Sequence, residues 1–132
     1  MSRFWDLLAE YDAESKTFTA CAGTVSGASS PYAPLAKGKL RALRVIPNSD
    51  AVTTLLEHVV FKLSATSFNP NAIQVGGQGS GLQTAPAAMR GHVDWEVDQD
   101  VVPGVNITIE GKNITADTPV GVSVLLYGLF EI

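Results

Sequence analysis

Apolar and polar residues alternate with a period of two over much of the chain. That spacing predicts β-strands, because successive strand side chains point to opposite faces. The clearest case is Val105-Asn106-Ile107-Thr108-Ile109-Glu110, introduced by Pro103-Gly104. Gly111-Lys112 follows, and a two-residue loop with glycine first predicts a type II′ hairpin turn into Asn113-Ile114-Thr115-Ala116. His92 to Asp98 alternates as strictly, with Val93, Trp95 and Val97 expected inward. Lys37 to Ile46 reads as a strand with Leu40, Ala42 and Arg44 on one face and Arg41, Leu43 and Val45 on the other. Pro47-Asn48-Ser49-Asp50 then turns the chain into a long strand over Thr54 to Thr66. The last segment, Val120 to Ile132, is apolar on both faces: Val122, Val124, Leu126 and Phe130 on one, Leu125, Tyr127 and Leu129 on the other.

The N-terminus supports two readings. Phe4, Leu7, Leu8 and Tyr11 fit a helical stripe, whereas Tyr11 to Phe18 reads as strand, polar turn, strand. We favour the hairpin. Two segments rich in small residues, Ser26 to Pro34 and Phe68 to Ala88, read as loops, the second with a short edge strand at Ala72 to Val75. Seven to nine short strands and almost no helix predict an all-β fold, an antiparallel β-sandwich or barrel, which periodicity alone does not tell apart. At 132 residues the chain is one such domain, 1–132, with residues 1–36 as an N-terminal hairpin or arm.

Composition narrows the function. Apolar residues make up 45% and charged residues 17%, against about 25% charged in an average soluble protein, so the chain can bury a core and is not disordered. A formal net charge of −4 disfavours a grip on nucleic acid, which needs Lys and Arg against phosphate. No run approaches the ~20 apolar residues of a membrane helix. No secretory signal is expected at Met1-Ser2-Arg3-Phe4-Trp5-Asp6, which suits synthesis in a reducing cytoplasm. Cys21 is the single cysteine and, between Ala20 and Ala22, reads as a small buried hydrophobe.

Candidate chemistry is sparse. Gly76-Gly77-Gln78-Gly79-Ser80-Gly81 lacks the Lys and the following helix of a phosphate loop, and glycine's conformational freedom explains it. The two Asn-Ile-Thr triplets match a glycosylation acceptor, but strand alternation explains them as well. His92, Asp94, Glu96 and Asp98 share one strand face, with Asp100 just beyond. Carboxylates so placed can hold Ca²⁺, but a solvated acidic face opposite Val-Trp-Val produces the same pattern and also resists edge pairing. No cofactor or metal is therefore expected. His58, next to Glu57, has no nucleophile beside it, and no Gly-x-Ser-x-Gly elbow exists, so the chain is not expected to be an enzyme. Trp5, Trp95, Tyr32, Tyr11 and Tyr127 would serve as a carbohydrate-stacking platform only if exposed together, and Trp95 is expected in the core.

The strongest functional signal is the second apolar set on the closing strand. One chain can shelter only one face of that strand in its own core. Leu125, Tyr127 and Leu129 are therefore expected to meet a partner, most simply further copies of the chain in a cyclic oligomer.

The strand pattern, the Ala/Gly/Thr/Pro-rich loops at Gly23 to Pro34 and Asn69 to Ala88, and the C-terminal strand Val120-Gly-Val-Ser-Val-Leu-Leu-Tyr-Gly-Leu-Phe together resemble virus-encoded jelly-roll structural proteins of the capsid, cement or decoration type. The resemblance covers most of the chain and rests on no diagnostic motif. It departs from RNA-packaging capsid proteins in lacking an Arg/Lys-rich arm. It implies a non-enzymatic, self-assembling virion subunit, built in the host cytoplasm, whose partners are itself and other shell proteins, with no nucleic acid or membrane. Outside a virion a cytoplasmic location is expected. The alternatives are a carbohydrate- or ligand-binding sandwich and, third, an enzyme using the acidic face around His92.

Overall fold

Eight strands and no helix make up the described part of the chain, residues 2–12, 17–21, 31–47, 59–76, 93–113 and 123–132 of a computed structural model. They are β1 (Arg3–Asp12), β2 (Thr19–Ala20), β3 (Gly38–Pro47), β4 (Val59–Ser64), β5 (Ala72–Gly76), β6 (Val93–Val101), β7 (Thr108–Asn113) and β8 (Ser123–Glu131). The first sheet has the order β1-β8-β3-β6 and the second β2-β7-β4-β5, with every pairing antiparallel. β1 pairs with β8, β2 with β7, β3 with β6 and β4 with β5. The chain is thus doubled back on itself as four successive pairs. It is then rolled so that β8 also meets β3 and β7 meets β4. This is the strand order of a jelly roll: of the sandwich and the barrel that the periodicity left open it is the sandwich, with eight strands within the seven to nine expected.

Between the sheets lies one apolar core. Leu8, Leu40, Leu43 and Leu126 of the first sheet and Phe61, Leu63, Ile107 and Ile109 of the second are fully buried. Trp95 lies in this core, as its alternation requires, and Cys21 is buried beside β7. Cys21 N–H donates to the Ile109 carbonyl at 3.0 Å. Burial, and then the Glu110 carboxylate, push its thiol up to about 12, so the sulfur is a packing group and not a nucleophile. Tyr32 pairs with Ile107 through two backbone hydrogen bonds of 2.9 Å, extending the β2 edge of the second sheet. Its ring stacks on Phe130, which stacks on Phe4, and its hydroxyl donates to Asp6. Burial and that bond raise the Tyr32 pKa.

Three sequence expectations are corrected by the backbone. The N-terminal hairpin is not formed, since β1 pairs with β8 in one sheet and β2 with β7 in the other. Nor is the segment helical. A bulge between Leu7 and Ala9 lets Phe4, Leu8 and Tyr11 all face inward, and that spacing mimics a helical stripe. The second correction concerns β3, where a bulge between Leu40 and Ala42 moves Leu40 onto the same face as Leu43 and Val45. Ala42 and Arg44 consequently point outward, and simple alternation fails at Arg41. The third is the turn at Gly111-Lys112. β7 runs straight through it, with Gly111 opposite both Phe61 and Thr19. Positive φ occurs instead at Gly76 and Gly104. Gly104 follows Pro103 in a turn closed by Val105 N–H to the Val102 carbonyl at 3.1 Å, a type II arrangement. The edge strand expected at Ala72 to Val75 is β5. Of the long strand expected over Thr54 to Thr66, β4 supplies Val59–Ser64, and the part before Val59 lies outside the described residues.

Candidate functional site

The outward faces of the two sheets differ in chemistry. The second sheet presents Lys62 and Ser64 of β4, Gln74 of β5, and Thr108, Glu110 and Lys112 of β7, with Phe18 held between Lys112 (4.6 Å from its ring centre) and Lys62 (5.7 Å). The first sheet presents an apolar band. Cross-strand register places Trp5 of β1 opposite Leu129 of β8 and Ala42 of β3; one row along come Leu7, Tyr127 and Arg44, and beyond them Glu10, Leu125 and Ile46. Leu125, Tyr127 and Leu129, the residues expected to mediate self-association, are therefore neighbours on the central strand. Each is half-buried within one chain. Trp5 remains 38% exposed, and Ile132, just past β8, 45%.

Arg44 crosses this band. Its Nε and Nη2 reach the two carboxylate oxygens of Asp94 at 2.7 and 2.9 Å, a bidentate pair between β3 and β6. Its guanidinium carbon also lies 4.2 Å from the centre of the Trp5 ring, two strands away on β1. The two contacts together link β6, β3 and β1 on the outward face of the sheet.

The acidic face of β6 is neutralised in the same way. Lys39 Nζ lies 3.0 Å from Asp100 and 3.4 Å from Asp98, while Arg41 Nη1 donates to Asp98 at 3.0 Å. The Asp100 and Asp98 contacts raise the Lys39 pKa and keep its ammonium charged. Of the weak metal candidates, Asp94 and Asp98 are thus held by β3 cations and Glu96 is exposed, while His92 lies outside the described residues. Among the described residues no group of three or more His, Cys, Asp or Glu is gathered as metal ligands would be. The cations of β3 were not singled out from sequence as partners for the acids. Their signal was the spacing Lys39, Arg41, Arg44 along one strand, which becomes informative only once β3 and β6 are known to be neighbours.

At one end of the band Glu131 ties three strands together. Arg3 Nε of β1 donates to it at 2.7 Å and Arg41 Nη2 of β3 at 3.1 Å, with the Glu131 side chain only 8% exposed. Lys39 stands opposite it in the β3 register. The Arg3 and Arg41 hydrogen bonds hold its pKa below the usual carboxylate value. A lowered folded-state pKa contributes stability above the unfolded value and loses it as pH falls through the folded one. Glu131→Gln should therefore melt at a lower temperature than the parent at pH 7, and the two curves should converge in acid. Thermal melts across pH check this, and parallel curves at all pH values would contradict it.

The five aromatic residues considered as a stacking platform do not gather. Trp95, Tyr11 and Tyr32 are buried, Tyr127 is half-buried, and Trp5 lies under Arg44. His58, Glu57 and the glycine-rich segment after Gly76 lie outside the described residues, as does the second arm of the expected hairpin from Ile114 onward. No helix among the described residues is long and apolar enough to cross a membrane. No protein-family model matches the chain, and no curated protein sequence matches it either.

Proposed function

We propose that this protein is a non-enzymatic structural subunit that associates with further copies of itself through the outward face of β1, β8 and β3, as a capsid or decoration subunit of a virion. The observation that carries the reading is the contrast between the two outward faces. One carries Lys62, Ser64, Gln74, Thr108, Glu110 and Lys112 with Val60 and Phe18 among them, and the other holds Trp5, Leu7, Leu125, Tyr127 and Leu129 side by side. Such apolar area facing water favours association, at about 25 cal/mol for each Å² removed from solvent.

Three features favour a second copy as the occupant. A twisted sheet face is complementary to another of its kind, and aligned sheets pack at about 30° with interdigitated side chains. Three cations beside the band are already paired within the chain: Arg44 with Asp94, Arg41 with Asp98, Lys39 with Asp100. Covering these cations buries each together with its counter-ion. The acidic residues along β6 oppose strand addition at that edge of the sheet. The virion setting draws its support from the jelly-roll strand order, which shell subunits of viruses use and which lectin domains and cupins use too.

Multi-angle light scattering on the eluting protein tests the reading. A mass that is a multiple of 13.9 kDa at micromolar concentration is expected. A 13.9-kDa species persisting at the highest attainable concentration overturns it. Negative-stain images of the concentrated protein address the setting, with closed rings or shells expected.

A further inference from the structure

A groove of about 440 Å³ opens at one end of the second sheet, away from the apolar band. Its volume falls in the ~300–1,000 Å³ range of small-molecule sites. Ser64 of β4 and Thr108 of β7, directly opposite each other in register, both line it. Thr66 and Asn71 come from the β4–β5 connection, Gly104 and Asn106 from the β6–β7 connection, and Ala65 and Val105 add apolar surface.

The chemistry of this lining is selective. None of the eight residues is charged, so a phosphate, carboxylate or amine would find no counter-ion. Three hydroxyls and two carboxamides offer both donors and acceptors. Among the described residues these five side chains make no hydrogen bond of their own. The groove's apolar surface comes from Val105, Ala65 and the carbon atoms of the polar lining residues, with no aromatic side chain among the eight. That surface is enough for the C–H face of a polyol.

Both walls are tied by backbone hydrogen bonds. The β6–β7 wall is the type II turn at Pro103-Gly104, where the space beside Gly104 is open. The β4–β5 wall is closed by Ala65 N–H to the Asn71 carbonyl at 2.9 Å. It is also clasped by Gln99, a buried residue of β6 in the opposite sheet. Gln99 Oε1 accepts from Asn69 N–H at 2.8 Å, and its Nε2 donates to the Asn69 carbonyl at 3.4 Å. A rigid wall loses less freedom when a ligand binds.

We propose that this groove is a binding site for an uncharged polyhydroxylated ligand, a mono- or oligosaccharide, with Asn71 and Asn106 gripping its hydroxyl groups. It is separate from the self-association face, so either can fail without the other.

The test is a titration of ¹⁵N-labelled protein with glucose, galactose, mannose, N-acetylglucosamine and their linear trisaccharides, with glycerol as the control. At least one sugar is expected to give saturable shifts centred on the amides of residues 64–66, 71 and 104–108. An Asn71→Ala/Asn106→Ala double variant with an unchanged spectrum elsewhere should bind at least about tenfold more weakly, some 1.4 kcal/mol. No saturable shift with any sugar, shifts that glycerol reproduces, or shifts that survive in the double variant would each overturn the proposal.

Discussion

A Tyr127→Asp/Leu129→Asp double variant is expected to elute as a 13.9-kDa monomer under conditions where the parent is oligomeric. Both side chains stand on the central strand of the first sheet and point away from the core, so the substitutions leave the buried set of β8 (Val124, Leu126, Phe130) intact. Each is already half-buried by its neighbours, so association removes only the remaining part of its surface, on the order of 1 kcal/mol per side chain. A two-fold interface contains each position twice. Four such losses raise the dissociation constant by at least about a thousandfold, before the cost of covering carboxylates is added. Gln74→Asp is the matching control, because Gln74 is exposed on the second sheet and its replacement should leave the mass unchanged. Circular dichroism establishes that both variants keep their sheets. If the double variant retains its fold and its oligomeric mass, the apolar band is not the contact surface.

How far this surface could be read from sequence depended on which physical signal carried each part. The two-sided greasiness of β8 was visible because alternation survives along a regular strand, and the same regularity exposed Trp95 as a core residue. Alternation failed where the backbone is irregular. The bulge at Leu7/Ala9 disguised β1 as an amphipathic helix, and the bulge at Leu40/Ala42 put Leu40 on the wrong face of its own strand. A bulge inserts one residue into the period and leaves no compositional mark. Sheet order was beyond reach as well, because pairing of β1 with β8 joins the two ends of the chain. The ion pairs that neutralise the acidic strand depend on that order. The sugar-sized groove was missed for the same reason: its lining comes from two connections that become neighbours only when β4 and β7 pair.

Gly111 serves a different purpose from a turn glycine. Sequence suggested a turn glycine, chosen for positive φ. In the fold it is an ordinary extended residue in β7, and what it supplies is the absence of a Cβ. A Cβ built there would sit 2.9 Å from three ring carbons of Tyr11, which reaches across from the first sheet. Phe61, opposite Gly111 in register and fully buried, meets the same Tyr11 ring edge-on, with centres 5.8 Å apart at 70°. Two aromatic rings and a glycine thus fill one junction between the sheets. Phe61→Ala is expected to cost about 3–5 kcal/mol, through lost burial and the cavity left behind. That lowers the melting temperature by on the order of 10–20 °C. Gly111→Ala acts oppositely, by overfilling, and should cost about 1–3 kcal/mol. The two accounts of Gly111 separate in a double-mutant cycle. If the glycine served a turn, the cost of Gly111→Ala would be the same whatever residue 11 is. Because it serves the Tyr11 ring, the cost should largely disappear in a Tyr11→Ala background, giving a coupling on the order of 1 kcal/mol in urea denaturation. Additive costs would mean that the two sheets are not keyed together at this point.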